Sequence, residues 1–265
     1  MQFFLGTPEP AWLKRTDVPL FVSHNRLRRR KTLPRARGAW ALDSGGFTQL
    51  SMHGQWTIPP QDYVQAVRRY ADEIGRLQWA ALQDWMCEPV VIHGGTFNGM
   101  RFKGTGLSVQ EHQRRTVANY LELRSIAPEL PFIPVLQGWE RDEYLRCVEM
   151  YFAAGVDLQA CELVGLGSVC RRQGTKAATD IISTLASLGL RLHGFGFKVR
   201  GLHQVGALLA SADSMAWSYQ ERCDYYCAGK PRIPWRSQLP HALAWRERIQ
   251  TELSGALPGQ YKMAI

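Results

Sequence analysis

Short apolar runs recur along this chain at intervals that leave room for a helix between them, and most end on an acid, a glutamine or a glycine pair. Phe3-Phe4-Leu5 and Leu20-Phe21-Val22-Ser23 come first. Ala39-Trp40-Ala41-Leu42 then leads into Asp43-Ser44-Gly45-Gly46-Phe47, and Trp79-Ala80-Ala81-Leu82 into Gln83-Asp84-Trp85. Phe132-Ile133-Pro134-Val135-Leu136 precedes Gln137-Gly138-Trp139, Leu163-Val164 precedes Gly165-Leu166-Gly167-Ser168, and Leu190-Arg191-Leu192 precedes His193-Gly194-Phe195-Gly196. Asp213-Ser214-Met215-Ala216-Trp217-Ser218 closes the series. Apolar runs of this length, bounded by turn residues, read as buried strands.

The intervals read as helices. Pro60 to Ile74 starts on proline and places Tyr63, Val64, Val67, Tyr70 and Ala71 on one face. Ser108 to Ser125 opens with Ser-Val-Gln-Glu, a capping-box pattern in which Ser108 and Glu111 serve each other's end of the first turn. Asp142 to Ala154, Thr175 to Leu188 and Pro240 to Leu253 complete the alternation. Strands separated by helices favour a parallel sheet, because parallel neighbours need long crossovers. About eight such strands predict a (β/α)8 TIM barrel, with an open doubly wound sheet as the rival. A barrel would collect the polar strand ends on one face, where the loops build a site.

The alternation runs nearly end to end without a linker-like tract, so residues 1–265 are expected to form one barrel domain. No apolar stretch is long enough for a membrane span, and the first residues lack a basic region followed by an apolar signal core. A soluble, cytoplasmic protein is expected, with no membrane partner. Six scattered cysteines fit reduced thiols better than a disulfide framework.

The net charge of +9 points to a polyanionic partner. It concentrates in Arg26-Leu27-Arg28-Arg29-Arg30-Lys31, continued by Arg35 and Arg37, on the connection between the second and third strands. In a barrel that connection lies on the face that carries Asp43. Arg101, Lys103, Arg171, Arg172, Lys198 and Arg200 follow other strands near the same rim. A basic rim of this kind neutralises phosphates with little regard to base sequence.

Asp43, Asp84 and Asp213 are three acids at three strand ends. Carboxylates in a partly closed site can divide the roles of nucleophile, general acid/base and recognition element, and a glycosidase is equally compatible with such a pair. Phe47, Trp85, Trp139, Phe195, Phe197 and Trp217 could offer flat faces to a base, although aromatic residues near strand ends commonly serve packing.

Asp43 to Phe47, Gln137-Gly138, Gly165 to Ser168 and His193 to Gly196, in that order, resemble the signature series of tRNA-guanine transglycosylases. The chain is closer still to the deazapurine DNA modification proteins of the DpdA family. The resemblance extends through Phe4-Leu5-Gly6-Thr7, Gln83 to Pro89, Glu111 to Arg115, Pro134 to Trp139, Gly167 to Arg172 and Ala212 to Ser218. It implies a barrel that exchanges guanine in DNA for a free 7-deazaguanine base, such as 7-cyano-7-deazaguanine, through a covalent carboxylate–sugar intermediate. By this resemblance Asp213 is the nucleophile and Asp43 the general acid/base. Asp84 accepts from guanine N1 and N2, while Gln137 and the backbone N–H of Gly167 meet O6. Ser44 and Gly138 line the base site; Phe47 stacks on the base, with His193 or Phe195 on its other face. Arg28, Arg29, Arg30, Lys31, Arg171, Arg172 and Lys198 hold the nucleic-acid backbone.

In two places the sequence departs from the transglycosylases. Those enzymes often carry two acids in the last strand segment, whereas Asp213 is the sole acid between Ser211 and Gln220, and a shifted register would put Ala216 in the nucleophile's place. They also bind a structural zinc through a denser cysteine cluster; Cys223, Cys227 and His241 lie roughly where that site falls and are candidate zinc ligands, with no fourth ligand evident and free thiols as the alternative. No cofactor is expected for the chemistry. A transglycosylase acting on tRNA, or a nucleic-acid binding protein without catalysis, would share most of these features.

Overall fold

The computed structural model describes residues 1–97, 99–170, 172, 174–219, 223, 231 and 233–255. Its main sheet contains β1 (Gln2–Thr7), β2 (Leu20–Ser23), β3 (Trp40–Asp43), β4 (Leu77–Ala81), β5 in two halves (Phe132–Ile133 and Val135–Leu136), β6 (Val164–Leu166), β7 (Leu192–Gly194) and β8 (Ser211–Ser214). Every pairing in it is parallel. The two halves of β5 stand at opposite ends of the strand order and are adjacent in the chain, so nine segments make eight strands and the sheet closes on itself. Pro134 is the joint. Proline has no N–H to donate, and the chain changes neighbours around it: Ile133 pairs with Ala81 of β4 and Val135 with Gly165 of β6. The fold is a closed (β/α)8 barrel.

Alternation along the strands divides the apolar residues between two cores. Phe4, Ala41, Trp79, Ala81 and Ile133 form the barrel interior, with Phe21 and Phe195 packed against them. Their sequence neighbours Phe3, Leu5, Trp40, Leu42 and Ala80 face outward into the larger cluster shared with the helices. From α3 (Pro60–Ile74) that cluster takes Tyr63, Val67 and Tyr70, the predicted stripe. α3 starts where a proline needs no intrahelical partner and stops at Gly75 with φ +71°. Burying one such side chain contributes roughly 1.5–3 kcal/mol.

The other helices that matter for the site are α1 (His24–Leu27), α2 (Gly46–His53), α4 (Pro89–His93), α5 (Val109–Ile126), α6 (Arg141–Ala153), α7 (Lys176–Ser187) and α8 (Val199–Val205), with α9 (Leu239–Gly255) the last among the described residues. The predicted capping box of α5 is half made. Ser108 Oγ accepts from Glu111 N at 3.1 Å, but the Glu111 carboxylate turns to Arg114 and Arg115 at 2.7 and 2.6 Å. A full box heads α6 instead, where Glu140 and Glu143 cap each other. A small hairpin, Gly95–Phe97 with Met100–Phe102, follows α4. No helix among the described residues is long and apolar enough to cross a membrane.

Candidate active site

The C-terminal strand ends enclose a cavity of about 330 Å³, and Asp43, Asp84 and Asp213 all line it. Asp43 ends β3 opposite Ser23 of β2. The Ser23 hydroxyl and the Gly45 N–H both donate to its carboxylate. Burial nonetheless pushes the Asp43 carboxyl above its ordinary range; those two donors oppose the shift and the negative charge of Asp213 adds to it. Gly45 adopts φ +79°, and a Cβ there would stand 2.4 Å from Asn25 Nδ2, so the turn that carries Asp43 into the cavity requires glycine.

Asp213 lies in β8 opposite Phe4 of β1. The last strand spans Ser211–Ser214, earlier than the sequence run suggests, and Ala216 falls in the 3-10 turn beyond it. The acid therefore faces the cavity and Ala216 does not stand in its place. Gly196 N donates to Asp213 Oδ1 at 2.8 Å, and Phe197 N to its backbone oxygen at 2.8 Å.

His193 does not stack on a ligand as expected. It is fully buried in the barrel interior, its ring edge-on to Trp79 at 4.5 Å and to Phe195 at 4.8 Å. The strand period turns residue 193 inward one level below the cavity. Its Nδ1 meets Ser211 Oγ at 2.8 Å, while Nε2 lies 3.4 Å from Asp213 Oδ1 without a well-formed hydrogen bond. Burial lowers its pKa, against the pull of Asp213, and favours a neutral imidazole. His193 thus lies beside the acid and outside the cavity lining, whereas Phe195 lines the cavity together with Phe47.

Asp84 sits beyond β4, held from α5 on both sides. Asn119 accepts from Gln83 N at 2.9 Å and Thr116 from Trp85 N at 2.9 Å. Burial raises the Asp84 carboxyl to about 7; the Gln137 amide pulls it down, and the neighbouring charge of Asp43 pushes it up. Gln137, at the end of β5, donates through Nε2 to Asp84 Oδ2 and accepts from Ser168 Oγ at 2.7 Å. Gln113 of α5 fixes its backbone, donating to Gln137 O at 2.7 Å.

Gly167 requires a correction. Its N–H is taken by Leu136 O at 3.0 Å in the β5–β6 ladder, so it is not available to a base oxygen. Its role is space: a Cβ there would lie only 2.2 Å from Gln137 Nε2. Gly167→Ala is accordingly expected to displace the Gln137 amide and, if the cavity holds guanine as the resemblance implies, to weaken free-guanine binding by about 1–3 kcal/mol, read by calorimetry, with the melting temperature as the check on folding. Gly138 likewise falls outside the cavity lining. A Cβ on it would stand 3.0 Å from Tyr144 N, so it lets the strand end close against α6. Ser44 is buried and lines the cavity as expected.

Phe47 lies between this cavity and a second, wider one of about 670 Å³, whose wall includes Asn25, Arg26, Arg28 and Arg29. Of the predicted backbone contacts, Arg28 and Arg29 therefore stand beside the site. Lys31 and Lys198 are exposed, and Lys198 heads α8. Arg30 is drawn aside into an ion pair with Glu9 at 3.2 Å. Arg172 is engaged within the protein: its guanidinium stacks over Trp139 at 4.2 Å and donates to the Trp139 carbonyl. Arg171 and Cys227 lie outside the described residues. Of the two remaining zinc candidates, His241 Nε2 lies 3.3 Å from Trp217 O, and no group of three or more metal-binding side chains occurs among the described residues.

Phe21, Met86, Glu88 and Ser168 also line the cavity and are not evident from the sequence. Ser168 carries one signal, its place after two glycines, and its backbone is left-handed with φ +56°. Phe21 sits mid-strand and reads from sequence as ordinary core.

Comparison with family models finds a match to DpdA, DeoxyPurine in DNA protein A, over residues 1–259. No curated protein matches. Among solved structures, the YdjI aldolase from Escherichia coli K12 is similar at 9% identity, over 96% of this chain and 90% of that one, with a TM-score of 0.47. A putative fructose-1,6-biphosphate aldolase from Coccidioides immitis is similar at 10% identity over 95% and 89% of the two chains, with a TM-score of 0.43. Neither likeness bears on activity.

Proposed function

We propose that this chain, which belongs to the DpdA family, exchanges guanine in DNA for a 7-deazaguanine through a covalent ester between Asp213 and the sugar. Family membership gives a role in deazapurine modification of DNA. The observation that carries the finer reading is the convergence of Asp43 and Asp213 on one cavity beside the Asp84–Gln137 pair.

The steps balance without a cofactor. The Asp213 carboxylate attacks the anomeric carbon, the bond to N9 breaks, and the departing guanine takes a proton from Asp43. The raised pKa of Asp43 suits it to hold that proton. In the second half the incoming 7-deazaguanine returns its N9 proton to Asp43 and attacks the same carbon, which releases Asp213 as the carboxylate. The Gly196 N–H bonded to Asp213 orients one oxygen and leaves the other for the sugar.

Recognition uses the neighbouring groups. Ionised Asp84 accepts from guanine N1–H and N2–H, and the Gln137 amide donates to O6. Phe47 and Phe195 bracket the ring. A base in a duplex must leave the stack to enter so narrow a cavity, and the arginine-lined groove beyond Phe47 receives the flanking phosphates. Incorporation of labelled 7-cyano-7-deazaguanine into DNA, with tRNA as the parallel substrate, tests the reading and its choice of nucleic acid.

A pH dependence follows from Asp84. Only its ionised form accepts from guanine, and its carboxyl titrates near 7, so free-guanine affinity should rise about tenfold between pH 6 and pH 8. A flat calorimetric profile over that range would remove Asp84 from the recognition edge.

A further inference from the structure

We propose that Ser168 and Glu88 fix which way round the Gln137 carboxamide sits, and so make the site select guanine over a purine that carries an amino group at position 6. The proposal rests on the base-exchange reading above and adds two positioning residues to it.

Ser168 Oγ has three polar neighbours. Cys87 N donates to it at 2.8 Å, Glu88 Oε2 lies at 2.8 Å, and Gln137 Oε1 lies at 2.7 Å. A hydroxyl has one proton and two lone pairs, so these three neighbours use it completely. Cys87 N–H occupies one lone pair. Gln137 directs its Nε2 to Asp84, so its Oε1 faces Ser168 and must receive the hydroxyl proton. The second lone pair is then left for Glu88, and that contact is a hydrogen bond in this orientation of Gln137 only when the Glu88 carboxyl brings the proton.

One other arrangement satisfies the same atoms. If the Glu88 carboxylate took the Ser168 proton, the second lone pair would accept from the Gln137 amide turned end for end. Gln137 Oε1 would then face Asp84, which would have to carry the proton. The two arrangements show a base opposite groups at position 6. In the first, the Asp84 carboxylate accepts and the Gln137 amide donates, which matches N1–H, N2–H and O6 of guanine. In the second, the one proton of Asp84 is spent on Gln137 Oε1, whose other lone pair accepts from the base; this matches the 6-amino group of 2,6-diaminopurine, with its 2-amino group donating to the free Asp84 oxygen. The Gln137 carboxamide stands in the orientation of the first, with Nε2 toward Asp84.

The backbone supports this assignment. Ser168 is left-handed at φ +56°, where a glycine would sit without strain. What serine supplies there is the hydroxyl. The residue is buried, so its three partners have no competition from bulk water.

The test uses the full chain and two free bases, guanine and 2,6-diaminopurine, with both dissociation constants measured by calorimetry. Ser168→Gly removes the hydroxyl and suits the backbone, and melting curves report whether the barrel stays folded. The ratio of the two constants should move toward 2,6-diaminopurine by at least about tenfold. Glu88→Gln keeps a donor facing Ser168 and should hold the ratio within about threefold of the unsubstituted protein, while Glu88→Ala should shift it as Ser168→Gly does. A ratio unchanged in a folded Ser168→Gly, or lost in Glu88→Gln, would overturn the proposal. An unsubstituted protein that binds neither base would overturn the base-exchange reading itself and this inference with it.

Discussion

Asp213→Asn is expected to lower base exchange by about 10⁴-fold or more and to leave no covalent protein–DNA species in a denaturing gel, while the barrel keeps its melting temperature to within a few degrees. Asparagine has the shape of aspartate, and its amide oxygen can still accept from Gly196 N, so the strand end is preserved. What it lacks is a carboxylate able to form an ester that the incoming base can displace. Rate and adduct should disappear together. A variant that forms adduct at an undiminished rate would place the nucleophile elsewhere.

Asp84→Asn is expected to act in opposite directions on function and on the fold. An amide in that place accepts one hydrogen bond from the guanine edge where a carboxylate accepts two, and it presents a donor to N1–H. Affinity for free guanine should therefore fall by about tenfold to a hundredfold, on the basis of roughly 1–3 kcal/mol for the hydrogen bond removed. The sign of the stability effect follows from the shift. In the unfolded chain Asp84 loses its proton near 3.8, and in the folded barrel it keeps it to about 7. Folding therefore takes up a proton between those values, and the fold loses stability as pH rises through them. Asparagine has no such loss. The variant should melt above the unsubstituted protein at pH 8, by at most about 4 kcal/mol in free energy, and the difference should close at pH 4. Equal melting at pH 8 would show that the surroundings of Asp84 do not oppose its ionisation.

The sequence carries these functional groups at the places where the pattern of the chain changes. Asp43, Asp84, Gln137 and Ser44 each follow a buried apolar run, and closure of the barrel brings such positions to one mouth. α3 is legible to the residue because a proline start, an apolar stripe and a glycine stop agree. Side-chain direction is less legible. His193 follows Leu190-Arg191-Leu192 just as Asp43 follows its run, but its place in the strand period turns it into the barrel interior beneath Asp213. The backbone role of Gly167 is misjudged from sequence because sequence shows that a glycine is needed and not what approaches it. Here the neighbour is the Gln137 amide, and the N–H is already engaged in the ladder.

Long-range pairing accounts for the remainder. Pro134 interrupts β5 in sequence and looks like a flaw in a strand, yet it is where the sheet changes neighbours and closes. Ser108-x-x-Glu111 has the form of a capping box, but Arg114 and Arg115 compete for the same carboxylate and win it. Arg172 belongs to a basic segment and is drawn to the face of Trp139. In each case the competing partner lies on another turn or another element, where a local pattern cannot register it.

The base-exchange reading is tested most directly by mass spectrometry of nucleosides from guanine-containing DNA incubated with the protein and isotopically labelled 7-cyano-7-deazaguanine. The account predicts a labelled 7-deazaguanine 2′-deoxynucleoside in the digest, one free guanine released for each label incorporated, and neither product with Asp213→Asn. Unmodified DNA from the unsubstituted protein, or incorporation that survives Asp213→Asn, would contradict it.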